Sequence, residues 1–184
     1  MTSPRVILVD VDDNVIGTEE KMRAHTLGKL HRAVSVFVVM RDGAFVLQQR
    51  AVTKYHSGGL WSNAACTHPR TDETTLEAAT RCLREEMGSS AALRPAFRFL
   101  YRAPVPPELV EHEYDHVFVG TIDGAPEPAA DEVQAWRAVP PNELHREVTE
   151  NPHAFTVWFR IAFPLYQNWS GRADRWTNPF IATT

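Results

Sequence analysis

The stretch 33-AVSVFVVM-40 constrains the fold more than any other part of the chain. Its valines and small apolar residues suit an extended strand. Asp42-Gly43 follows, a dipeptide that tolerates the positive φ angles of a hairpin turn, and 44-AFVLQQR-50 returns as the partner strand. The chain is therefore expected to build a sheet around this hairpin. Further strands are expected at 5-RVILVD-10, at the return from the turn in 11-VDDNVIG-17, at 97-FRFLYRA-103 and at 114-YDHVFVGTI-122. Between the last two, PVPP reads as an extended connector.

Helical signals alternate with these strands. Residues 19–25 predict a short helix that brings Lys21 and His25 one turn apart. Asp72 or Thr74 can cap a helix running to Met87, with Gly88 as its stop. Leu76, Ala79, Leu83 and Met87 then share one face, which predicts a core stripe. Residues 141–147 and 152–168 read as helices, the second carrying Phe155, Trp158, Phe159, Ala162 and Phe163. The Gly-, Ser- and Asn-rich stretch 55–70 reads as a loop crossing the molecule, and 124-GAPEPAA-130 as another. Residues 170–184 are weakly patterned and are expected to form a loosely held tail. The implied architecture is one α/β (α+β) domain over residues 1–184, a mixed sheet flanked by helices with no internal repeat.

Composition narrows the function classes. The chain has 184 residues, 43% hydrophobic and 23% charged, as in an ordinary globular protein with a sizeable core. A net charge of −4 without a basic block gives no footprint for nucleic acid. No apolar stretch is long enough to span a membrane, and MTSPRVILVD lacks the layout of a signal peptide. A cytoplasmic setting with Cys66 and Cys82 as free thiols is the expectation.

Five residues in three segments look like a metal cage: His25 and His31, His68, and the pair Glu111 and Glu113. Imidazoles and carboxylates together suit a borderline divalent cation such as Mn²⁺, Fe²⁺ or Zn²⁺. On a strand, Glu111 and Glu113 point to the same side, and His112 between them points away. His56 and His116 read as ordinary polar positions. Cys66 lies two residues before His68, and a thiol with a pKa of about 8.5 is a usable proton donor or acceptor.

The helix end 81-RCLREEMG-88 resembles the Nudix signature, with Arg81, Leu83, Glu85, Glu86 and Gly88 matching and Cys82 in place of its first glutamate. The upstream glycine of that signature is missing. Four segments then resemble type I isopentenyl diphosphate isomerase, a Nudix-fold family: 20-EKMRAHTLGKLHRAVSVFV-38, 47-LQQRAVTKYHSGGLWSNAACTHP-69, 111-EHEYDHVFVG-120 and the helix around Trp158. They span roughly residues 5–165.

The resemblance implies interconversion of isopentenyl and dimethylallyl diphosphate by proton transfer. It implies that Cys66 and Glu113 move the protons from opposite faces, with Tyr101 assisting Glu113. It makes His25, His31, His68, Glu111 and Glu113 the ligands of Mn²⁺ or another divalent metal. Glu86 and the Cys66 carbonyl would hold Mg²⁺ on the substrate diphosphate, and no flavin is implied. Lys21, Arg50 and Lys54 would bind the diphosphate, while Trp158 would cover the hydrocarbon end. Trp61 is expected to help wall the pocket.

One departure matters. Cys82 stands where the isomerases usually carry a diphosphate-binding arginine, on the helix face of Glu86, and Arg81 and Arg84 point elsewhere on an ideal helix. A raised KM or an altered substrate preference, with the chemistry intact, is the expected consequence. A Nudix hydrolase of a nucleoside diphosphate compound and a divergent paralogue binding another prenyl diphosphate are the alternatives. The partner in each is a small molecule, with no oligomeric state implied.

Overall fold

The computed structural model describes residues 3–170 and 180–183. The hairpin signal forms β3 (His31–Met40) and β4 (Phe45–Arg50). Ahead of them come β1 (Arg5–Val9), β2 (Val15–Glu20) and the helix α1 (Lys21–Leu27). Two short strands follow, β5 (Trp61–Ser62) and β6 (Ala65–Thr67), then α2 (Thr75–Met87). The long strands β7 (Arg94–Val105) and β8 (Leu109–Ile122) come next. β9 (Val133–Val139), α3 (Pro141–Glu150), α4 (Val157–Ser170) and β10 (Phe180–Thr183) complete the order.

The main sheet runs β10-β7-β8-β3-β1-β2. β3 and β8 are parallel over ten residue pairs, and β7 and β8 are antiparallel. β3 meets β4 only at Val39–Phe45, after which β4 pairs with β5 and β9. β3 instead takes β6 as a neighbour, with Ser35 opposite Cys66. The two strands part where the site lies.

Alternation along β3 serves two cores. Val34, Val36 and Val38 join Ala78, Ala79, Leu83 and Met87 of α2. Phe37 joins Phe97, Phe99, Phe159 and Phe163, the side covered by α4. Full burial of such side chains contributes roughly 1.5–3 kcal/mol each, so both helices are anchored by the sheet.

Helix α2 begins in a capping box, where Thr74 and Glu77 satisfy each other's backbone groups. It ends at Gly88, with φ +59° and a site where any Cβ would meet the Glu127 carbonyl oxygen at 2.4 Å. The expected core stripe holds except at Leu76, which is 43% exposed. Burial begins at Ala78, one turn into the helix.

Other differences have local causes. The connector PVPP is partly strand, with β7 continuing to Val105 before a turn at 106–108. The loop expected across 55–70 contains β5 and β6. The helix expected from 152 starts at Val157. Phe155 is extended and bridges Trp61, and the Thr156 N–H donates to the Trp61 carbonyl at 2.9 Å. In the expected tail, 171–179 and 184 lie outside the described residues, but Phe180–Thr183 lie parallel to Phe99–Arg102 as a sheet edge. No helix among the described residues is long and apolar enough to cross a membrane.

Candidate metal centre and active site

Strand register assembles the centre. On β8, Glu113 lies between Tyr101 of β7 and His31 of β3, each directly opposite it. Helix α1 adds His25, and His68 follows β6. The α1 cap explains its placement: Glu20 accepts from the Met22 and Arg23 N–H groups, and Gly28 closes the helix at φ 58°.

The imidazoles are oriented by backbone. His25 Nδ1 and His31 Nδ1 each lie 2.7 Å from a carbonyl, those of Lys21 and Lys29. A carbonyl only accepts, so each Nδ1 carries a hydrogen and each Nε2 turns inward. His31 Nε2 is 3.2 Å from His68 Nε2, and His68 Nε2 is 3.0 Å from Glu113 Oε1. Metal bonds of about 2.0–2.2 Å set neighbouring ligand atoms about 3 Å apart, the spacing seen here.

The donor atoms of His25, His31, His68 and Glu113 all lie within 4.8 Å of one another. Glu111, expected as a fifth member, falls in a second set with His25 and His56. His25 Nε2 and Glu111 Oε2 are 3.4 Å apart, buried and without hydrogen-bond partners. Buried polar atoms left unpaired are costly, and a cation between these groups would satisfy them. The residues present therefore fit a divalent metal.

Electrostatics sort the carboxyls. Burial pushes Glu113 up, and Glu111 adds to this, but the imidazoles of His31 and His68 prevail and hold it below the ordinary range. Burial also raises Glu111, yet His25 and His56 hold it well below. His68 is driven down to about 3, chiefly by burial, and stays neutral. Asp115, next on the same strand face, is pushed well up by burial and by Glu113, and it accepts from the Ser35 hydroxyl at 2.7 Å.

A cavity of about 220 Å³ opens beside this centre. Cys66, Glu113 and Trp158 line it, as do Lys21, Arg50 and Lys54. Tyr101 lies behind Glu113 and donates to its Oε2 at 2.6 Å. Burial pushes the Cys66 thiol well up, Glu86 adds to this, and the thiol keeps its proton. Arg50 Nη1 is 4.0 Å from Cys66 Sγ, and its guanidinium lies 5.1 Å from the Trp158 ring. Lys21 sits 4.6 Å over Tyr55, and Lys54 pairs with Glu132. Glu86 also faces the cavity, its carboxyl pushed up to about 7 mainly by burial while Gln48 Nε2 donates to it at 2.7 Å.

Some expectations shift. Trp61 does not line the cavity: the Arg137 guanidinium lies 4.3 Å over its ring, and its backbone holds the start of α4. His112 points away as expected, toward the Gly28 carbonyl at 2.9 Å, and His116 pairs with Asp13 at the same distance. His56 is no ordinary polar position, being buried with Nε2 2.7 Å from Glu111 Oε1. No spacing within its Gly- and Ser-rich segment signals this role, which comes from a contact across the molecule. Cys82 does line the cavity, where its thiol donates to the Ala79 carbonyl at 3.4 Å. Arg81 is turned away, forked onto Glu73 at 2.6 and 2.8 Å.

Residues 29–159 match the NUDIX domain family. The chain is 52% identical over 154 residues to the isopentenyl-diphosphate Delta-isomerase of Serratia proteamaculans (strain 568), covering 84% of this chain and 86% of the relative. It is 49% identical over 173 residues to the protein of the same name from Burkholderia multivorans (strain ATCC 17616 / 249), covering 91% and 98%. Among solved structures, a Deinococcus radiodurans protein superposes with a TM-score of 0.67 at 20% identity, over 80% of this chain and 90% of that one. The MutT protein from Methanosarcina mazei Go1 gives 0.64 at 16% identity, over 78% and 96%. These two support the fold alone.

Proposed function

Because the chain belongs to the NUDIX domain family and to the isopentenyl-diphosphate Delta-isomerases within it, we propose that it interconverts isopentenyl and dimethylallyl diphosphate, with Cys66 and Glu113 carrying the protons. One observation carries this reading: the Cys66 thiol and the Glu113 carboxyl line the same cavity, the thiol pushed up by burial and the carboxyl, despite its burial, held below its ordinary range by His31 and His68. Isomerisation adds one proton at the terminal alkene carbon and removes one from the methylene carbon beside the original double bond. Two groups in opposite protonation states can do both within one turnover, ending with their states exchanged. The change is redox-neutral.

An unactivated alkene is a poor base, and protonation at its terminus develops tertiary carbocation character. The Trp158 indole face stabilises such positive charge, by up to about 2 kcal/mol when desolvated. Lys21, Arg50 and Lys54 bind the diphosphate, Arg50 with a fork and the lysines as point charges. Lys54 exchanges Glu132 for phosphate to do so. Tyr101 keeps Glu113 Oε2 in place, leaving Oε1 toward His68.

The His25, His31, His68, Glu111 and Glu113 set would hold Mn²⁺ or another divalent metal, and Glu86 with the Cys66 carbonyl would hold Mg²⁺ on the substrate. When bound, the first cation would supply positive charge that makes Glu113 a stronger acid.

Replacing Cys66→Ala tests the assignment. General acid–base groups contribute typically about 10²–10⁴-fold, so turnover should fall by that order while the substrate still binds. Turnover within a few-fold of the parent would contradict the role of the thiol.

A further inference from the structure

Glu111 is spanned between two imidazoles. Its Oε2 lies 3.4 Å from His25 Nε2, and its Oε1 lies 2.7 Å from His56 Nε2. All three residues are buried. A second cation on this trio is ruled out by donor count. His25 Nδ1 is committed to the Lys21 carbonyl, and its one free nitrogen already belongs to the set with His31, His68 and Glu113. His56 is therefore left to act on Glu111 itself. Its Nδ1 lies 3.2 Å from the Ser57 hydroxyl, which can donate to it and leave the ring hydrogen on Nε2, facing Glu111. The contact with Glu111 is short but lacks full hydrogen-bond alignment.

His56 also belongs to the turn that presents the diphosphate cations. Its carbonyl accepts from Arg50 Nη2 at 3.4 Å, and Lys54 precedes it by two residues. Its ring packs edge-on against Trp158, with centroids 5.7 Å apart. The turn is tightly drawn. A Cβ on Gly58 would meet the Val52 carbonyl oxygen at 2.7 Å, and Ser57 and Gly59 have φ of 53° and 80°. From this turn, the His56 side chain reaches Glu111 on β8.

We propose that His56 is a positioning residue that fixes Glu111 at the metal centre and ties the Lys54-bearing turn to it, coupling cation binding to diphosphate binding. This rests on the metal-centre reading given above. Groups that orient metal-ligating carboxylates typically hold about 10–100-fold in metal affinity.

The test is Mn²⁺ affinity of the metal-stripped full chain, measured by chelator competition, together with KM and kcat. His56→Phe keeps the ring against Trp158 and removes both nitrogens. Its Mn²⁺ affinity should fall by about 10–100-fold and its KM should rise, with kcat at saturating metal changed far less. His56→Gln returns an N–H donor near the Nε2 position and should recover most of the affinity. In a Glu111→Ala background, His56→Phe should add less than about threefold, since it acts through the missing partner.

The inference is overturned if His56→Phe binds Mn²⁺ like the parent, if Gln is no better than Phe, or if the effect persists without Glu111. Should His56→Phe fail to fold, His56→Asn takes its place, its amide being too short to reach Glu111. A parent protein that binds no Mn²⁺ overturns the metal centre itself. Tight binding indifferent to His56 overturns only the coupling.

Discussion

The Tyr101 hydroxyl donates to Glu113 Oε2 at 2.6 Å, across a register that sets the two residues directly opposite on β7 and β8. Burial, with the Glu113 charge adding to it, pushes the phenol well above its ordinary pKa, so it remains a donor. Hydrogen bonds to charged groups are worth about 1.5–3 kcal/mol. Tyr101→Phe should therefore lower kcat by roughly 10–100-fold with KM nearly unchanged. Steady-state kinetics decide it, and an effect confined to KM would place Tyr101 outside the proton-transfer step.

On the proposed function, Cys82 leaves the diphosphate end of the cavity one charged fork short. Arg81 cannot supply it, because Glu73 and Glu85 hold its guanidinium. Cys82→Arg should lower KM by about tenfold or more, as a charge-assisted bond of about 1.5–3 kcal/mol implies, with kcat little changed. A folded Cys82→Arg protein with unaltered KM would show that the missing arginine is immaterial here.

The Arg81 fork on Glu73 also makes stability depend on pH. Arg81 lowers the Glu73 carboxyl from 4.5 to about 2. A depressed folded pKa contributes stability above the unfolded value and loses it as pH falls through the folded one. After allowance for solvent screening, the pair is worth about 1 kcal/mol. Denaturant unfolding of Glu73→Gln should show that deficit at pH 7, and the gap to the parent should close as pH falls from 4.5 toward about 2. A gap that stays constant would mean that Glu73 acts through something other than its charge.

Much of this was legible in the residues, for reasons that differ by element. The β3–β4 hairpin and α2 announced themselves because Asp42-Gly43, Thr74 and Gly88 carry local backbone demands. Glu111 and Glu113 share a buried face of β8, as strand alternation alone implies. His56 was not legible, because its significance comes from reaching across the molecule to Glu111, which no periodicity within a Gly- and Ser-rich turn encodes. Leu76 fits an amphipathic stripe by spacing, yet burial on α2 begins only at Ala78. β9 drew no strand signal because its residues lie at an edge, only Val133 and Val139 being buried. Its pairing with β4 is nonetheless what brings Glu132 to Lys54.

Deuterium incorporation tests the central claim most directly. The full chain, with its metal content verified, is incubated with isopentenyl diphosphate and Mg²⁺ in D₂O while the alkene signals are followed by NMR. Proton exchange through Cys66 and Glu113 predicts dimethylallyl diphosphate carrying deuterium in a methyl group. Release of phosphate or diphosphate, or an unchanged substrate in the presence of loaded protein, would contradict it.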